Sequence, residues 1–158
     1  MAVMSGTPPS SQRNPVATAA LAFIAGALAV IIFQQILIGL LYLLGVIPGG
    51  PFNMRPTAPL GVPQLLSSAF WGGLWGIAFA FAADRVPARA YWALALLFGA
   101  GLLPAVGWFV VQPLKGQPIA SGWQPARMGL SVLINGIWGI GVAIAWRVLR
   151  RPSAPPAG

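Results

Sequence analysis

The chain has 158 residues, of which 58% are hydrophobic and only 6% charged. A soluble domain needs about a quarter of its residues charged to cover its surface, so this composition points to one small membrane domain. The net charge of +8 does not signal nucleic acid, because the cations are scattered at the ends of apolar runs. There is no His and no Cys, and Asp84 is the sole acid. That excludes His or Cys metal ligation, an axial His on haem, a His-activated nucleophile and a carboxylate pair. No Walker loop or GxGxxG is present. No cofactor and no enzymatic activity are expected.

In chain order, residues 1–15 are polar and rich in Ser and Pro, and are read as a disordered tail. Span one covers about Val16–Val46, longer than the roughly 20 residues that cross a bilayer. Span two is Gln64–Ala83, span three Tyr91–Val111 and span four Met128–Val148, and residues 151–158 form a second disordered tail. The expected fold is an all-α integral membrane bundle of four transmembrane helices (residues 16–150). Arg13, Arg85, Arg89, Arg147, Arg150 and Arg151 fall on one side, and Arg55, Lys115 and Arg127 on the other. The excess places both termini in the cytoplasm of a bacterial inner membrane. Trp92 and Trp146 then mark the inner interface, and Trp108 and Trp123 the outer one. Asp84 is expected to pair with Arg85 or Arg89.

An internal repeat is visible. Shifted by 63 residues, Ser68–Ala82 falls on Ser131–Ala145, and seven of the fifteen positions are identical, Trp75 with Trp138 and Gly76 with Gly139 among them. Spans one and three align at a shift of 73, with Leu21, Ala22, Gly26 and Ala27 on Leu94, Ala95, Gly99 and Ala100. This predicts two tandem, parallel helical hairpins. Gly73, Gly76 and Ala80, and likewise Gly136, Gly139 and Ala143, share a helix face. Such small-residue stripes let backbones approach closely in lipid, within a chain or between chains, for instance between spans two and four. Trp71 and Trp75 lie on another face and read as packing or lipid-facing residues.

The polar residues within the spans are mild and gather in the outer half: Gln34, Gln35, Ser67, Ser68, Gln112, Ser131 and Asn135. By helix rise, Gln35 and Asn135 lie roughly 16 and 12 Å from the outer ends. Pro104 removes a helix donor at similar depth and frees the Ala100 carbonyl. Two Pro-rich loops above carry Arg55, Lys115 and Arg127. The expected site is an outward-facing cleft of Gln34, Gln35, Asn135, Arg55, Lys115 and Arg127 that holds an anionic solute or lipid headgroup.

The runs Pro51-Phe-Asn-Met-Arg-Pro56, Gly61-Val-Pro63, Phe70-Trp-Gly-Gly-Leu-Trp-Gly76 and Pro113-Leu-Lys-Gly116 resemble a group of small proteobacterial inner-membrane proteins. The resemblance covers roughly residues 16–150. It implies a four-span bacterial membrane protein and brings no activity, substrate or catalytic residue. The function expected is a non-enzymatic accessory or interaction protein. Its partners would be membrane lipids, a second copy or another membrane protein. A small oligomeric channel or transporter, or an anionic-lipid or solute binder, is the alternative. Ion pathways usually carry an intramembrane charge, which these spans lack.

Overall fold

The structure, a computed structural model, describes residues 14–58 and 60–150; of the tails expected at 1–15 and 151–158, residues 1–13 and 151–158 lie outside the described residues, and Pro15 already begins a helix. Four helices are long and apolar enough to cross a membrane: Pro15–Leu43, Gln64–Ala83, Ala88–Leu114 and Pro125–Leu149.

Span one starts where Asn14 Oδ1 accepts from the Val16 N–H at 3.0 Å, with Pro15 in the first turn. Both satisfy or remove orphan donors. The helix ends at Leu43, short of Val46, because Gly45 turns left-handed at φ 71°. Gly45 N–H bonds the Tyr42 carbonyl and Val46 N–H the Leu41 carbonyl, which caps the helix end. A two-residue antiparallel pair, β1 (Pro56–Thr57) and β2 (Val62–Pro63), then leads into span two.

Spans one and three are not uniform α-helices. Ala29–Gln34, Leu97–Leu102 and Gly107–Val111 are π-helical. In span three the cause is Pro104, which has no N–H to give. Leu103 N–H reaches back five residues to Phe98, and Gln112 N–H to Gly107. The Pro is buried between two widened turns.

The core is built on alanine and glycine. Ala22, Ala25, Ala29, Ala95 and Ala143 are essentially inaccessible, and Phe79, Trp138, Val142 and Trp146 fill the space between them. The helices touch through backbone. A Cβ added to Gly26 would strike the Gly72 carbonyl and come within 2.9 Å of Gly76 Cα. A Cβ on Gly99 would lie 2.5 Å from the Asn135 carbonyl oxygen and 2.8 Å from Gly139 Cα. Gly76 in turn abuts Ala22 and Gly26, and Gly139 abuts Ala95 and Gly99. The two contacts use corresponding positions of the aligned segments.

Each small stripe therefore faces the preceding helix. Gly73 lies under the Phe23 ring and Gly136 against Ala100 Cβ. The expected meeting of spans two and four through their stripes is replaced by pairing of span one with two and of three with four. Each glycine already has a short, directly connected neighbour to close on. Spans one and four join the two pairs. Trp138 Nε1 donates to the Gly26 carbonyl at 3.0 Å, and Gly141 sits beneath the Phe33 ring.

Leu at Gly26 or Gly99 must push two backbones apart. Each substitution is expected to destabilise by ~1–3 kcal/mol or to abolish folding. Gly129, with open space around it, should accept Ala with unchanged or improved stability, since Gly inside a helix is about 1 kcal/mol worse than Ala. Thermal unfolding in detergent measures both.

Candidate functional site

A cavity of about 220 Å³ lies between the two helix pairs. Span two supplies Ser68, Trp71, Gly72 and Trp75 to one wall, and span three supplies Leu103, Val106, Gly107 and Val111 to the other. Val30 and Gln34 of span one and Asn135 and Trp138 of span four complete it. The π-turns Ala29–Gln34 and Gly107–Val111 both contribute to its lining. A π-turn advances the side chains that follow it by one register step, and here it turns Gln34 inward.

Gln34 Nε2 donates to the Ile134 carbonyl at 3.3 Å, and Asn135 Nδ2 to the Ser131 carbonyl at 2.8 Å. Among the described residues, neither amide oxygen has a donor. Both residues are half-buried, so an unfilled acceptor favours a ligand that can donate. On the side away from the long loops, rings close the cavity. Trp75 meets Phe98 edge-on at 5.8 Å, Phe98 meets Phe79 at 5.8 Å, and Phe79 meets Tyr91 at 5.8 Å.

Of the six residues expected in an outer cleft, only Gln34 and Asn135 come together. Gln35 is 93% buried and braces a loop: its Oε1 accepts from the Phe52 N–H at 2.7 Å, where Phe52 takes a left-handed φ of 56°. Arg55 lines a separate hollow with Tyr42, Pro51 and Asn53. Asn53 Oδ1 accepts from the Arg55 N–H and Asn53 Nδ2 bonds Gln64, which pins this stretch outside the bundle. Lys115 and Arg127 are exposed and line no part of the cavity. The cationic, anion-holding cleft is thus corrected to an uncharged cavity.

Two further expectations change. Asp84 pairs with Arg150 at the end of span four, and not with its neighbours. Arg85 folds back over the Phe81 ring at 3.3 Å and donates to the Phe81 carbonyl, so it is turned away from Asp84. Trp146 is 2% exposed and belongs to the core, whereas Trp92 and Trp123 are exposed as interface residues would be.

Trp71 and Trp75, read from the sequence as packing or lipid-facing residues, line the cavity together with Trp138, and the repeat held a signal for this. Under the 73 and 63 shifts, Val30 corresponds to Leu103, Gln34 to Gly107, Gly72 to Asn135 and Trp75 to Trp138. All eight line the same cavity. Gln112 had another role. It receives the Ser121 N–H at 2.8 Å and donates to Ser121 Oγ at 3.0 Å. It thereby holds Ala120–Trp123, which has positive φ at every residue.

Comparison of the chain with protein-family models, curated proteins and solved structures gives no match.

Trp138→Phe keeps a ring beside Phe98 but removes the donor to Gly26. The buried carbonyl left behind should cost about 1–3 kcal/mol. The corresponding Trp75→Phe, whose ring rests on Phe98, should cost less. Denaturation of the two variants side by side tests the difference.

Proposed function

We propose that this chain is a non-enzymatic protein of the bacterial inner membrane, built from two tandem parallel hairpins, that binds a compact neutral solute in an outward-facing cavity between them. The observation that carries this reading is the pair of half-buried amides, Gln34 and Asn135, in an uncharged, Trp-lined space shared with Ser68. Two acceptor oxygens without donors suit a ligand bearing O–H or N–H groups. The lining contains no Arg or Lys to attract an anion. A volume of about 220 Å³ is below the roughly 300–1,000 Å³ of drug-sized sites, which favours a small solute.

The duplication supports the same reading. The Gly26–Gly76 and Gly99–Gly139 contacts recur at matched positions, as a pseudo-two-fold axis along the membrane normal would require. Solute sites at repeat interfaces follow from such an axis. The inner-membrane compartment and the cytoplasmic termini are supported by the arginine distribution and by the resemblance to small proteobacterial membrane proteins. Docking of a partner membrane protein is the less favoured reading, because the polar groups face a cavity between the helices.

Titration of the purified protein with glycerol or acetamide, which donate hydrogen bonds, should change tryptophan emission saturably. Dimethyl sulfoxide, which only accepts, should not. Gln34→Leu with Asn135→Leu should weaken the response about tenfold, from the loss of two bonds of about 0.5–1.5 kcal/mol each. Equal responses to all three solutes would end this reading. For orientation, Cys at exposed Ala126 should react with an impermeant thiol reagent applied to spheroplasts, and Cys at exposed Ala88 should react only after permeabilisation. The reverse pattern would invert the topology.

A further inference from the structure

The solute cavity is open on one side. Spans two and three come together beside their connecting turn, where Phe79 meets Tyr91, and Trp75 and Phe79 meet Phe98 edge-on. Beyond Phe98 no hydrogen bond or ring contact joins the two spans among the described residues. The opposite side is closed, because Gln34 donates to the Ile134 carbonyl and Trp138 to the Gly26 carbonyl. Two lining residues, Trp71 of span two and Val111 of span three, are also 58% and 39% exposed. They belong to the cavity wall and to the outer surface of the bundle at once. Gly107 lines the cavity too, and a Cβ added there would meet no neighbouring group within 4 Å. In the bilayer that these spans are long and apolar enough to cross, such a side opening faces acyl chains.

The lining decides which lipid fits. It offers two amide oxygens that lack donors, Gln34 Oε1 and Asn135 Oδ1, and the Ser68 hydroxyl, which can donate and accept. It has no cation to hold a phosphate or carboxylate and no acid to hold an amine. Phospholipids, fatty acids and long-chain amines would each bury a charge there without a partner. An uncharged head that carries O–H groups is matched instead. At about 220 Å³, below the size of drug-sized sites, the cavity takes a head and not a chain.

We propose that the ligand of this cavity is the diol head of a neutral single-chain lipid, a monoacylglycerol, which enters between spans two and three and leaves its acyl chain in the bilayer against Trp71 and Val111. Its two hydroxyls donate to Gln34 and Asn135. This names the solute of the reading above and rests on that reading. A free polyol offers the same hydroxyls, but it uses neither the side opening nor the exposed face of Trp71.

The test uses full-length protein in lauryldimethylamine oxide, whose head carries no O–H or N–H group, with bound lipid read by native mass spectrometry. Monooleoylglycerol is expected to give a one-lipid adduct. Methyl oleate, with the same chain and a head that only accepts, should give none. Protein preloaded with monooleoylglycerol should no longer change its tryptophan emission when glycerol is added, because the head site is filled. Gly107→Leu projects a side chain into the open cavity and should lose the adduct, and Ser68→Leu should lose it from the opposite wall. Gly101→Leu is the control: it also meets open space but lies outside the cavity lining, and should retain the lipid as wild type does. Equal adducts of the two oleoyl compounds, or an adduct unchanged in a folded Gly107→Leu or Ser68→Leu protein, overturns the proposal. A glycerol response without a monooleoylglycerol adduct, or one that survives preloading, overturns entry from the bilayer and leaves the solute reading standing. Absence of both the glycerol response and the adduct ends both readings.

Discussion

Backbone-to-backbone contact at Gly26–Gly76 and Gly99–Gly139 is the constraint on which the rest depends. Lipid offers no hydrophobic incentive for two helices to associate, so van der Waals packing has to supply it. That packing is dense only where side chains are absent. With the helices this close, Ala22 and Ala95 carbonyls lie against the partner glycines, and no larger residue fits at these four positions. The helices of each pair are held at this close approach. The large residues are displaced to the seam between the pairs, and there Trp138, Phe98 and Phe79 form the core.

The seam is where the two halves stop being alike. If the hairpins are equivalent, the contact of span one with span four should have a counterpart in span three with span two. The first contact is closed: Trp138 bonds Gly26, Gln34 bonds the Ile134 carbonyl, and Phe33 covers Gly141. In the second, Trp75 leans on Phe98 and the space beyond stays open. Substitution explains the difference. The positions that carry Gln34 and Asn135 on one side carry Gly107 and Gly72 on the other. Bulk and hydrogen bonds close one half of the seam, and their loss leaves the cavity in the other. The π-turns do not follow this break, since Ala29–Gln34 is π-helical although Ile31, which matches Pro104, keeps its N–H.

The spans were legible because hydropathy is a sum over about twenty residues and tolerates local error. Span two was read to the residue, since Pro63 and Asp84 bracket it. Span one was read too long, because a left-handed Gly45 is a single-residue event within an apolar run. The small stripes were legible as stripes, and their partners were not: periodicity gives a face but not what it faces. The site divided the same way. Gln34 and Asn135 were found by their polarity and depth. Gln35 was misplaced because the inward direction depends on a π-turn, which adds a residue to one helical turn and leaves no sign in composition. Arg55, Lys115 and Arg127 were misplaced because loop paths are set by bonds such as Asn53 to Gln64, and spacing does not reveal them.

The aromatic layer gives the bundle two chemically distinct ends. Phe79 is wholly buried, and Phe98 nearly so. Their rings stand between the amide-bearing cavity and the arginine-bearing one. Along span two the interval runs from Trp75 to Ala83, about 12 Å at the rise of an α-helix. Glycine contact brings the helices of each pair together, unequal side chains open the seam at one end, and edge-to-face rings divide what remains. One end of the bundle presents amides and the other presents charged side chains.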